Sequence, residues 1–275
     1  MVSDRSAEDF LDYSAIPPSR MSRRHRKAPM PALQAAIEQR AEVAPRMLGE
    51  LDRLLARLNA ITEKAETEQE FLALGSELLS RPSPVFYGFL LAAEWKQKDA
   101  YPRFAELLSW SWAGAPDLLS DMVHAELGPA VMAEIYDGDP SPLFDLLLDD
   151  SGDEDIRFWQ WRTLILLVLR GALDLDALRT FLVRAFDELE QEPESHVWAG
   201  WEEVILYFGL EDLTPLVERA HAVQRIRDGT IEEFRRKFAW SLAHPEHPLG
   251  LDEVHPFRGL MSEIEWAVET RWPRP

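Results

Sequence analysis

Pro102-Arg-Phe104-Ala-Glu-Leu107-Leu108 and Pro142-Leu-Phe144-Asp-Leu-Leu147-Leu148 are two copies of one short pattern, Pro-x-apolar-x-x-apolar-apolar. Two weaker copies follow. They are Ala177-Leu-Arg179-Thr-Phe-Leu182-Val183, with Arg at the first apolar slot, and Pro215-Leu-Val217-Glu-Arg-Ala220-His221, with the last two slots degraded. The anchors at 102, 142, 177 and 215 are separated by 40, 35 and 38 residues, the period of stacked helix pairs. Each pair in such an array buries its apolar face against the next, so the chain needs no single central core. The expected fold is all-α: a HEAT-like α-solenoid of stacked antiparallel helix pairs wound as a right-handed superhelix.

Outward from this block, Pro, Gly and acidic caps punctuate runs of helical period. Residues 1–30 read as a disordered basic arm, 31–243 as the helical-repeat domain, and 244–275 as a Pro-rich C-terminal tail whose short helix packs on the last repeat. Pro31 opens the first helix and Pro45 the second, since a missing N–H costs nothing in a first turn. Thr67-Glu-Gln-Glu70 and Thr230-Ile-Glu-Glu233 fit capping boxes. Val85, Phe86, Phe89, Leu90, Ala93 and Trp95 make the helix from Pro84 to Lys96 apolar nearly all round, which predicts a central, enclosed position. Later helices are expected over 101–110, 117–125, 127–136, 141–149, 156–170, 175–190, 197–208, 213–226, 230–242 and 261–270. Gly209 marks a left-handed stop. Period-two alternation is nowhere sustained, so no strand is predicted.

The 275 residues carry a net charge of −20 and no cysteine. Disulfides, thiolate nucleophiles and Cys-based metal sites are therefore excluded, and a reducing cytoplasmic location is expected. The longest apolar run, 163–169, is far short of the roughly 20 residues of a membrane span, so no membrane association is expected. Residues 1–30 hold six basic and four acidic side chains, leaving the remainder at −22. Such a body repels phosphate backbones. The expected partner is a protein or basic peptide rather than nucleic acid.

Ala100-Tyr-Pro, Asp121-Met-Val-His124-Ala-Glu-Leu-Gly128 and Ile135-Tyr-Asp-Gly-Asp139-Pro-Ser-Pro-Leu143, with the helix pairs after them, resemble the bacterial domain-of-unknown-function 1186 family over roughly residues 31–226. The resemblance implies a HEAT-like helical-repeat fold and no particular activity. Some relatives end in a Cys-rich, metal-binding tail, which a chain without cysteine cannot supply.

Three constellations are candidate sites. Asp121 and His124 share a helical face, and with Glu126 and the acidic turn of Asp137 and Asp139 they could form an oxygen and imidazole metal site; alternatively they cap helices and fix a turn. His244, His247 and His255 cluster, but Pro245, Pro248 and Pro256 break the spacing a helical zinc motif requires. The acidic loop 149–155 lacks the ligand spacing of an EF-hand. Among ten Trp residues, the close pairs Trp110/Trp112, Trp159/Trp161 and Trp198/Trp201 suggest that one member of each reaches the surface, with Trp112, Trp161 and Trp201 as candidate partner anchors; core packing is the plainer alternative. No nucleophile elbow or phosphate loop is present, and no cofactor is called for. The sequence thus reads as a non-enzymatic scaffold binding a protein or peptide through an acidic, aromatic-containing surface. The rivals are a metal-binding protein or metal-dependent enzyme centred on His124, and a nucleic-acid binder docking through the basic residues of 20–27.

Overall fold

A computed structural model describes residues 30–67, 70–71, 73–74, 85–110, 127–189, 196–227, 229–245 and 254–271, the last six by backbone alone. Among these residues there are twelve α-helices and no strand. They are α1 (Met30–Glu38), α2 (Arg40–Thr62), α3 (Val85–Glu94), α4 (Tyr101–Leu108), α5 (Gly128–Ile135), α6 (Ser141–Leu148), α7 (Glu154–Leu169), α8 (Leu175–Glu188), α9 (Val197–Phe208), α10 (Thr214–Ala222), α11 (Ile231–Ala243) and α12 (Leu260–Arg271). Residues 1–29 of the basic arm, the predicted helix at 117–125 and the connection Glu192-Pro193-Glu194-Ser195 lie outside the described residues.

The four anchors fall at matching places. Pro102, Pro142 and Pro215 are each the second residue of their helix, and Ala177 is the third of α8. Proline fits there because the first-turn N–H groups have no helical partner to lose. Where α8 has no proline, Asp174 caps instead, accepting from the N–H groups of Asp176 and Ala177. Asp153 does the same for α7 through Ile156 N–H at 3.0 Å. Thr230 and Glu233 close a complete capping box on α11. At the other predicted box, Thr67 Oγ accepts from Glu70 N–H, but the Glu70 carboxylate reaches back to Glu66 N–H, one residue earlier than expected.

Helices two places apart in the chain pack on one another. α3, α5, α7, α9 and α11 contact each other in that order, with the α5–α7 and α7–α9 seams the most extensive. The first four are enclosed: every residue from Val85 to Ala93 is buried, as are Thr163 to Leu167 and Val204 to Tyr207, whereas α11 buries only Phe234, Phe238 and Ser241. α2, α4, α6 and α8 likewise contact each other in order, joined by an Arg103–Asp52 ion pair, by Asn59 donating to Glu106, and by Phe144 stacked on Phe181 at 3.8 Å. The Arg219 guanidinium lies 5.0 Å over the Phe186 ring and carries the series to α10. The helices of this second series bury one face and expose the other, as an amphipathic period dictates.

Several charged groups of the enclosed series are paired. Arg157 is fully buried and donates twice to Leu147 O. Glu134 on α5 bridges Lys96 and Arg170, and Arg162 on α7 pairs with Glu203 on α9.

Two expectations need correction. Pro45 does not open a helix: α2 starts at Arg40, and Pro45 sits inside it, with the break at Gln39. The last helix, α12, packs on α3 rather than on the last pair. Its first N–H, at Leu260, donates to Glu94 at the end of α3 at 2.8 Å, and Leu260 and Ile264 are buried there. That partnership joins residues 166 apart in sequence, and no local pattern announces it.

Candidate functional site

Asp137 and Asp139 build a turn. Gly138 between them takes φ 111°, where a side chain would be strained. Asp137 Oδ1 accepts from Asp139 N–H, and Asp139 Oδ1 from Ser141 N–H, each at 2.9 Å. The Ser141 bonds hold the Asp139 carboxyl below its usual range. The two carboxylates therefore fix the entry to α6. Beside them the Tyr101 and Tyr136 rings meet edge to face at 5.3 Å, and burial raises the Tyr101 hydroxyl pKa, with the neighbouring Tyr136 and Asp137 adding to it. Asp121 and His124 lie outside the described residues, as do Glu126 and His247. No group of three His, Asp or Glu side chains among the described residues is placed to hold a metal ion. His244 bonds to Trp240 O, and His255 to Pro256 O.

The tryptophans divide differently from expectation. Trp159 and Trp161 do point opposite ways, as residues two apart on a helix must. It is Trp159 that reaches the rim, half-buried beneath the Arg162 guanidinium at 4.2 Å. Trp161 has no exposed surface. Trp198 and Trp201 are both fully buried, because residues three apart share a face. Trp201 Nε1 donates to Leu182 O at 3.0 Å, locking α9 to α8. As placed, Trp161 and Trp201 offer a partner no surface; Trp112 lies outside the described residues. Among the described residues Trp240 is the exposed Trp, stacked on His244 at 4.4 Å.

Two surface cavities draw functional groups together. The first, about 470 Å³, lies between α4 and α6. It is lined by Pro102, Ala105, Glu106 and Ser109 from one helix and by Pro142, Asp145, Leu146 and Asp149 from the next, so equivalent slots of the two clearest sequence copies face each other across it. Its charged lining is all carboxylate: Glu106, Asp145 and Asp149, with no Lys or Arg. Asn59 donates to Glu106, and Ser151 to Asp149; neither donor is a charged side chain.

The second cavity, about 620 Å³, opens between α10 and the start of α11. At its wall His221 Nε2 lies 2.7 Å from Glu202 on α9, both largely buried. Burial pushes the Glu202 carboxyl above its usual range, against the opposing pull of His221 and Lys237. A His–carboxylate pair can orient an imidazole for proton transfer, but the one hydroxyl in this lining, Thr230, is engaged in capping α11. The pair ties α10 to α9. Sequence reading passed over it because its members lie 19 residues apart on different helices.

The family model described as protein of unknown function (DUF1186) matches residues 19–234. The chain belongs to the DUF1186 family. The family region begins within the basic segment and includes both helices of the acidic cavity; it ends inside α11, so α12 and the chain leading to it lie beyond the DUF1186 match. No curated protein and no solved structure matches the chain significantly.

Proposed function

We propose that the chain is a helical-repeat scaffold, a HEAT-like α-solenoid, that binds a basic segment of a protein partner on its acidic surface, with the α4–α6 cavity as the docking point. The order of helix contacts supports the solenoid: alternate helices meet in two series, α3 through α11 and α2 through α8, each helix touching the one two places along, as translation of a repeated pair requires. The observation that carries the binding reading is the all-carboxylate charge of a cavity built from two repeat copies. Its floor of Pro102, Ala105, Pro142 and Leu146 would receive the aliphatic stem of an Arg or Lys, while Glu106, Asp145 and Asp149 meet the charged head. Net charge of −20 would speed encounter with a basic partner.

The test measures anisotropy of a labelled peptide alternating Arg and Ala, added to the full chain. E106K/D145K is expected to weaken binding about tenfold or more, about 1.4 kcal/mol. E232K/D187K changes net charge equally at exposed positions on α11 and α8 that do not line this cavity, and is expected to cost less than about threefold because separated surface charges are screened. Equal losses in the two variants would show diffuse attraction and remove the cavity from the account.

A further inference from the structure

One contact departs from the nearest-neighbour order. Outside the family match, residues 254–264 return to α3, the first of the enclosed helices. The segment brings its own internal structure. Arg258 donates to Glu263 through its backbone N–H at 2.9 Å and through Nε and Nη2 at 3.2 and 2.7 Å, and Glu263 has no exposed surface. Gly259, at φ 100°, turns the chain beside the Glu94 carboxylate; a Cβ there would stand 3.7 Å from Oε2. Leu260 N–H then meets that carboxylate, and Leu260 and Ile264, one helical turn apart, are buried. A carboxylate at a helix N-terminus satisfies an orphan donor and complements the dipole. None of these features depends on the segment belonging to the same chain. Covalent attachment contributes effective concentration.

We propose that the face of α3 bordered by Glu94 is a docking site for an amphipathic helix, held in cis by residues 254–264 and open to exchange for a partner helix of the same pattern, Arg-Gly-Leu-x-x-Glu-Ile. The tethered segment shows what the site accepts: a first-turn N–H at Glu94, two aliphatic side chains four apart, and an internal Arg–Glu clip that keeps the buried carboxylate neutralised. This surface is separate from the acidic cavity and does not depend on it.

The experiment uses the full chain with a protease site inserted between Gly250 and Leu251. After cleavage, a fluorescent peptide of residues 254–275 is added in excess, and the same peptide carrying L260D/I264D serves as control. The expected result is saturable exchange of the labelled peptide into the cut chain, with the control at least about tenfold weaker and the uncut chain at least about tenfold less receptive. Absence of exchange, or equal uptake of both peptides, would overturn the proposal. A second reading uses uncut L260D/I264D chain, whose own segment is disabled: it is expected to bind the labelled peptide more tightly than the uncut natural chain. A doubled mass of the uncut natural chain by light scattering would assign the site to a second copy and overturn the partner-helix reading.

Discussion

Gly200→Val is expected to lower the unfolding free energy by about 3 kcal/mol, at the upper end of typical overpacking costs. Gly200 lies in α9 where it crosses α7, in one of the two most extensive helix seams. A Cβ at this position would fall well inside contact distance of Trp161 Cδ1, with Trp161 Cγ at 2.9 Å and Phe158 O at 3.0 Å. The indole cannot swing away, since Trp161 is fully buried and lies against Phe181 at 5.7 Å. Removing a helical glycine returns roughly 0.5 kcal/mol or less when valine replaces it, which does not offset the collision. Gly49→Ala in α2 supplies the opposite sign. A Cβ there meets nothing within 4 Å, so about 0.5–1 kcal/mol of stabilisation is expected. Urea midpoints of the two variants read both effects; a harmless Gly200→Val would mean that the α7–α9 seam is more loosely packed than described.

Trp201→Ala is expected to cost about 3–5 kcal/mol, the range for deleting a buried large aromatic. The loss has three parts. The cavity opens next to Phe186 and Trp198, whose rings lie 5.9 and 5.4 Å away; Leu182 O loses its indole donor; and α8 is released from α9. Trp159→Ala is the contrast, because that ring is only partly buried and lies beneath the Arg162 guanidinium. A loss of about 1 kcal/mol or less is expected there. Comparable effects at Trp159 and Trp201 would contradict the division of these residues between rim and core.

Much of the architecture was legible because it is local. Proline and glycine punctuation set most helix limits within a few residues, and the anchor prolines marked one helix of each later pair. What the pattern misplaced was geometry between residues whose relation depends on angle or on distant chain. Trp198 and Trp201 were expected to diverge, although a separation of three residues turns through only about 60° back onto the same face. Pro45 reads as a helix start by composition, yet Val43 and Ala44 before it are buried within the same helix. The candidate site was least legible. Glu106, Asp145 and Asp149 are unremarkable acids in an acidic sequence, and only the facing of α4 and α6 gathers them. The docking of α12 on α3 is of the same kind, since it rests on Glu94 and Leu260 meeting across the length of the chain.

The proposed translational order of the helix pairs is tested most directly by pulsed electron paramagnetic resonance. A chain without native cysteine lets each engineered Cys carry the only labels. One label is placed at Glu106 on α4 and the other at Thr180 on α8 or Glu218 on α10, all exposed. Neighbouring packed helices lie about 8–10 Å apart, so two steps along the row predict about 20 Å for the first pair and three steps about 30 Å for the second. A 106–218 distance equal to or shorter than 106–180 would show that the helices close into a bundle, and the scaffold account would fall with the row.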